Sequence, residues 1–282
     1  MKALSTGPYR RVGAWLLSLL LFGIVLSGCQ APIHALQELS ANQGQRLETL
    51  DTQPFPLVAG IPLQPLEAAR LRVYLEGDGH AWATASQPSL DPSPRQLLVA
   101  RLAFQDPAPS IYLARPCQFV QTLDCHFEYW TDKRFSIEVL DSLNHALDSI
   151  KQRYRNRDFE LIGYSGGAAL ALLLAAHRDD IAQVQTLAGN LSPRQWVRLQ
   201  QLSPLSGSLE PLDFRHRLLD LSQRHLSGAD DRIVPPRLLR SYLESLGEAA
   251  CVESTVLPGL THGDGWEQVW AAWRDRPIGC VP

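Results

Sequence analysis

The 282-residue chain has no block of lysines or arginines, and that absence bears first on what it can bind. Nucleic acid is held largely by clustered cations on its phosphates. With 26 Lys+Arg set against 29 Asp+Glu and a formal net charge of −3, nucleic acid is not an expected partner. No Cys-x-x-Cys pair occurs among the 5 cysteines, so the commonest spacing of a structural zinc site is missing and no metal is expected. No motif asks for an organic cofactor. Internal repeats and low-complexity segments are also missing. The one long apolar run, Val12 to Val25, falls short of the roughly 20 residues that a membrane span needs.

That run belongs to an export signal. Lys2, Arg10 and Arg11 form a basic leader before it, and Leu26-Ser27-Gly28-Cys29 closes it. The closing tetrad resembles the lipobox of bacterial lipoproteins. The resemblance implies cleavage before Cys29, lipidation of that cysteine, and a membrane anchor. Gln30 in place of Asp after the cysteine implies the outer membrane, facing the periplasm. Removal of residues 1–28 takes three cations with it, so the net charge moves from −3 to about −6.

Beyond Cys29 remain Cys117, Cys125, Cys251 and Cys280, which allow three pairings. Cys117–Cys125 with Cys251–Cys280 keeps each loop local and is the expected arrangement. In an oxidising compartment each bridge would contribute roughly 2.5–4 kcal/mol by restricting the unfolded chain.

Along the mature chain, 29–54 reads as a polar, proline-bearing spacer, and extended edge structure is expected over 30–66 rather than a helix. "LRVYLEG" (71–77), "SIYLARP" (110–116), "FELIGY" (159–164), "IAQVQTLAGN" (181–190), "SQRHLSG" (222–228) and "ESTVLPG" (253–259) read as strands. "QLLVARLAF" (96–104) fits either helix or strand. Ile137, Leu140, Leu143, Leu147 and Ile150 recur at three- and four-residue steps, the mark of an amphipathic helix over 135–154. "SGGAALALLLAAH" (165–177) is apolar on all sides and so a buried helix, and "GWEQVWAAWR" (265–274) is the last one. Alternating strands and helices imply a mostly parallel sheet covered on both faces, the α/β class. Its functional site belongs at the carboxyl ends of the strands.

Ser165 meets that condition. It stands in Gly163-x-Ser165-x-Gly167, between a strand and a helix. The five-residue pattern alone arises by chance in about one chain in ten of this length. A serine needs a base, and the base an orienting carboxylate, before it attacks anything. Downstream lies Gly228-Ala-Asp230-Asp231-Arg-Ile-Val-Pro235, and past it a single histidine, His262 in "LPGLTHGDGW".

"GADDRIVP" resembles the Gly-x-x-Asp-x-x-Val-Pro acid loop of the α/β-hydrolase superfamily, and residues 55–282 as a whole resemble that fold. The "EGDG" (76–79) and "RPCQ" (115–118) stretches are similar to those of exported bacterial members. The resemblance implies a catalytic triad of Ser165, His262 and Asp231, with Asp230 the alternative acid. It implies an oxyanion hole from the backbone N–H of Gly166 and of Asp78 or Gly79. Glu76 and Asp78 stand where lipases and esterases commonly carry His-Gly. Their carboxylates must turn away or pair with Arg115, Lys133 or Arg134. The insertion 191–214 corresponds to a small cap that would bring Trp196 and Leu199 near substrate. The 115–135 loop is expected near the site, with its His126 structural.

The function implied is acyl transfer to water on a small-molecule or lipid-like ester or thioester. Amide or peptide hydrolysis on the same triad, and a non-catalytic envelope lipoprotein that binds through a hydrolase scaffold, are the alternatives.

Overall fold

The computed structural model describes residues 31–64 and 67–280; Cys29 and the leader before it lie outside the described residues. Eight strands form one sheet: β1 (Gln45–Leu50), β2 (Leu57–Pro62), β3 (Arg70–Leu75), β4 (Ser110–Leu113), β5 (Asp158–Tyr164), β6 (Ile181–Leu187), β7 (Ser222–Gly228) and β8 (Val252–Leu257). Their spatial order is β1-β2-β4-β3-β5-β6-β7-β8. Pairs β1/β2 and β2/β4 are antiparallel, and every other pair is parallel. This is the covered, mostly parallel sheet that the alternation of elements predicts.

Side-chain alternation along the strands splits the core in two. Leu71, Val73 and Leu75 of β3 join Leu161 of β5 on one face, under α3 (Ile137–Tyr154) and α4 (Gly166–His177). Tyr74, Ile162, Leu187 and Leu226 point to the other face, under α1 (Pro32–Asn42), α2 (Leu98–Phe104) and α8 (Trp266–Trp273). Both faces of each central strand are thus buried. In α4 every residue from Gly166 to Ala176 is buried, as its all-round apolar sequence demands. The remaining helices are α5 (Pro193–Leu199), α6 (Arg215–Leu218) and α7 (Pro236–Leu246).

Two expectations give way and one open reading is resolved. The stretch 29–54 is no spacer: from Pro32 onward it is α1 and β1, and Leu36 is fully buried in the core. Pro32 suits a helix start, because the N–H it lacks would have no partner there. Ile33, Leu36 and Leu39 recur at three-residue steps and pack on the core, but the helix is only 11 residues long, too short for that period to stand out. The ambiguous 96–104 run resolves as helix α2, its residues buried between sheet and α8. Ile137 lies outside the apolar stripe of α3, exposed at the helix start. Among the described residues no helix is long and apolar enough to cross a membrane.

Both disulfides, Cys117–Cys125 and Cys251–Cys280, are formed in the expected pairing. The second ties the C-terminal tail to the start of β8.

Candidate active site

Ser165 occupies the turn between β5 and α4 with φ 52° and ψ −121°. A positive φ is uncommon outside glycine and costs energy unless the surroundings hold it. They do: Ser165 N–H donates to the Leu187 carbonyl (3.1 Å), and the Ser165 carbonyl accepts from Asn190 N–H (2.9 Å) and Ala168 N–H (3.1 Å). The flanking glycines are sterically required. A Cβ on Gly163 would stand 2.6 Å from Ala168 Cα, and one on Gly167 would collide with the Leu75 carbonyl.

From this turn the Ser165 hydroxyl reaches His262 Nε2 at 3.0 Å, and His262 Nδ1 lies 2.8 Å from Asp231 Oδ2. Asp231 follows β7 and is buried. Its Oδ1 accepts the backbone N–H groups of Ile233 and Val234, each at 2.8 Å, which fixes the carboxylate's orientation. Asp230, the alternative acid, is exposed, and the hydrogen bond of His262 Nδ1 goes to Asp231 instead. A carboxylate only accepts, so Nδ1 carries the imidazole proton and Nε2 is left to accept from the serine hydroxyl. The structure therefore brings Ser165, His262 and Asp231 into one line at the carboxyl edge of the sheet.

Two residues that the sequence did not single out hold the histidine loop. Tyr164 donates its hydroxyl to the His262 carbonyl at 2.9 Å, and Trp266 Nε1 donates to the same oxygen at 3.0 Å. The Tyr164 ring also lies beside the imidazole, with centroids 5.3 Å apart. Tyr164 fills the variable position of Gly-x-Ser-x-Gly, so the motif itself carries no signal for it.

Of the two acids in the loop before Ser165, only Asp78 finds the expected cationic partners. The Asp78 carboxylate lies over Gly166 and pairs with Arg115 and with Arg134, the latter at 2.7 Å. Burial alone would raise its pKa, but the Arg134 and Arg115 guanidiniums outweigh that and hold it below the usual carboxylate range. Lys133 takes no part and pairs with Glu128 at 2.9 Å. Among the described residues Glu76 forms no ion pair, and only the more distant Arg115 and Arg101 charges act on it. It is buried and accepts from the Tyr112 hydroxyl (2.9 Å) and the Gly77 N–H (3.0 Å). Burial pushes its carboxyl up to about 7. The N–H of Gly166 opens α4 and so lacks an intrahelical partner. Among the described residues no group accepts from the N–H of Asp78 or Gly79.

A cavity of about 460 Å³ opens over Ser165 and His262. Trp196 lines it and ties α5 to the acid loop by donating to the Ile233 carbonyl at 2.7 Å; Leu199 is not part of the lining. The larger wall is the loop 76–97, which contributes His80, Trp82 and Arg95. The disulfide loop braces it: Phe119 N–H donates to Ser93 Oγ (2.6 Å), Gln121 Nε2 to the Leu90 carbonyl (2.9 Å) and Trp130 Nε1 to the Ser89 carbonyl (3.1 Å). His126 sits exposed at the start of a short 3-10 turn in that loop. Among the described residues no group of three His, Cys, Asp or Glu side chains is placed to hold a metal ion.

Compared by sequence, the chain matches no protein-family model and no curated protein. Compared by structure, it is similar to an esterase from Pyrococcus furiosus (TM-score 0.60, 11% identity, 88% of this chain and 93% of that one). It is similar to a cold-adapted esterase from an Arctic intertidal metagenomic library (0.57, 18%, 83% and 94%). A third likeness is to an α/β serine hydrolase without a lid from Xanthomonas campestris (0.51, 15%, 84% and 97%). The chain thus has the α/β-hydrolase fold.

Proposed function

We propose that the protein is a serine hydrolase that cleaves carboxylic esters or thioesters. The observation that carries the proposal is the hydrogen-bonded line Ser165–His262–Asp231, at 3.0 and 2.8 Å, beside an open cavity. Ser165 Oγ attacks the substrate carbonyl while its proton passes to His262 Nε2. The Asp231 carboxylate orients the ring and stabilises the imidazolium. The Gly166 N–H and, on the facing loop, the Asp78 N–H receive the developing oxyanion. The imidazolium returns its proton to the leaving group, and water, activated by the same nitrogen, releases the acyl group from Ser165.

Esters rank above amides because the similar folds include named esterases, an argument by fold analogy. Labelling with a fluorophosphonate probe tests the proposal. Wild-type protein reacts and Ser165→Ala does not, whereas an unreactive folded wild type overturns the enzyme reading in favour of a binding protein. Esters and amides of one acyl group, assayed side by side, separate the two hydrolase readings.

The leader and Cys29 support placement as an exported, lipid-anchored protein of the cell envelope, on the periplasmic side of the outer membrane. Palmitate incorporation that disappears in Cys29→Ala is the expected result. An unmodified Cys29 in the mature protein overturns this placement.

A further inference from the structure

The large apolar side chains exposed among the described residues are unevenly placed. Trp82, Leu90, Leu123, Phe127, Ile137, Leu202 and Ile233 all follow the carboxyl end of a parallel strand, on loops or at helix ends, whereas Leu63 and Val256 lie elsewhere. Leu90 is 90% exposed and Leu123 97% exposed, more than any packing or folding role requires. They belong to one braced body, since Gln121 bonds the Leu90 carbonyl and the Cys117–Cys125 bridge closes the second loop. Trp82 and Ile233 both line the cavity over Ser165. Exposed apolar groups gathered on one side of a molecule mark a surface meant to be covered.

The path of the chain says what covers it. β1 ends opposite the start of β2, at Leu50↔Leu57, and β2 runs antiparallel to β4, so β1 climbs toward the carboxyl edge. α1 joins β1 through Gln43 and Gly44 and packs on it, so it runs the opposite way. Its 11 residues extend about 16 Å, most of the height of the sheet. The start of α1 therefore lies toward the same edge as Ser165. Ala31 precedes α1, and Cys29 is two residues before Ala31 in sequence. No long spacer separates the proposed lipid anchor from the folded domain.

From this we infer that the carboxyl edge docks on a lipid bilayer, with Leu90, Leu123 and Phe127 entering its interface and the cavity over Ser165 opening toward it. The inference rests on the lipid-anchored hydrolase reading and adds an orientation and a substrate source: acyl esters that enter from the membrane. Asp91, Asp124, Glu128, Arg95 and Lys133 intersperse the edge with both signs of charge. Binding is accordingly driven by apolar insertion and is nearly insensitive to salt and to anionic lipid.

The test uses the mature, lipidated chain in phosphatidylethanolamine–phosphatidylcholine vesicles, compared with its Leu90→Asp/Leu123→Asp variant. Both side chains are exposed and neither lines the cavity, so the variant folds. It hydrolyses a short water-soluble ester at the wild-type rate, and a long-chain ester held in the vesicles about tenfold or more slowly. Equal rates on the vesicle ester, or equal losses on both esters, overturn the inference. Hydrogen exchange on the inactive Ser165→Ala chain supplies a reading free of catalysis. Residues 88–92 and 119–128 become protected on vesicles and lose that protection in the double aspartate variant. A chain that floats with the vesicles while these loops exchange freely overturns the docking and leaves the anchor standing. A chain that does not float overturns both.

Discussion

Two lines of polar side chains cross this sheet, and they are built on opposite terms. Toward the amino ends of the strands, on the face under α8, Arg72, Glu160, Gln185, Arg224 and Glu253 bond across five strands at 2.6 to 3.1 Å. Each sits inside a strand, where register fixes its neighbours. Arg224 is 1% exposed, and it spends its remaining donors on the carbonyls of Trp273, Arg276 and Pro277. The ladder is closed and docks the C-terminal segment. At the carboxyl edge, Asp231, His262 and Ser165 stand on loops and turns just past the strand ends. Their line stops at a hydroxyl that faces a cavity. Burial and closure suit a polar line to a structural role; an open end leaves one free to meet a substrate.

Removing the open end should produce the largest effect. Ser165→Ala is expected to lower ester turnover by about 10⁴-fold or more while leaving thermal unfolding nearly unchanged. A retained activity would mean that the open end is not where chemistry occurs. Asp231→Asn should follow, with a loss of about 10²–10⁴-fold in kcat, because the amide can donate to Nδ1 and so present the wrong tautomer to Ser165. The parallel change at Asp230 should leave kcat within about twofold.

The closed line should respond in stability instead. Arg224→Met leaves Glu253, Gln185 and three carbonyls short of donors, at an expected cost of about 3–5 kcal/mol in urea unfolding. Fluorophosphonate labelling of the still-folded fraction should keep its wild-type rate. A slowed reaction would couple the two lines and break the contrast.

Glu76 lies between these cases, buried like the ladder yet adjoining the cavity. Its carboxyl titrates near 7 in the fold and close to 4.5 in the unfolded chain. The folded state therefore holds the proton more tightly, and stability falls as pH rises between those values. The loss should amount to about 2 kcal/mol between pH 5 and 8, with Glu76→Gln flattening the profile of unfolding against pH. An unchanged profile would show that Glu76 titrates in the fold where it does in the unfolded chain. A modest effect belongs to Tyr164→Phe. It removes one of two donors on the His262 carbonyl and should lower kcat by about tenfold or less, with KM steady.

Strand–helix alternation, the buried α4 and the glycines around Ser165 were legible because each rests on neighbours in the chain. The same holds for the disulfides, whose partners are 8 and 29 residues apart. Edge strands β1 and β2 fall within the stretch expected to be extended, but α1 was not legible, since its apolar residues are too few for a clear period. Nor was the braced 76–97 wall, which depends on bonds from the 117–130 region.

By itself, then, the sequence determined the class of fold and a short list of candidate site residues in a definite order: a serine in a tight glycine turn, two adjacent acids, and one later histidine. Tertiary structure alone placed Asp231 rather than Asp230 on His262, neutralised Asp78 with Arg115 and Arg134, and left Glu76 bonded to Tyr112 instead of to a cation. The reason is one of range. Backbone strain, steric clearance and helix period act between residues a few positions apart, so composition and spacing record them. A carboxylate's partner is set by which loops meet beyond the ends of the strands, and those loops come from distant parts of the chain.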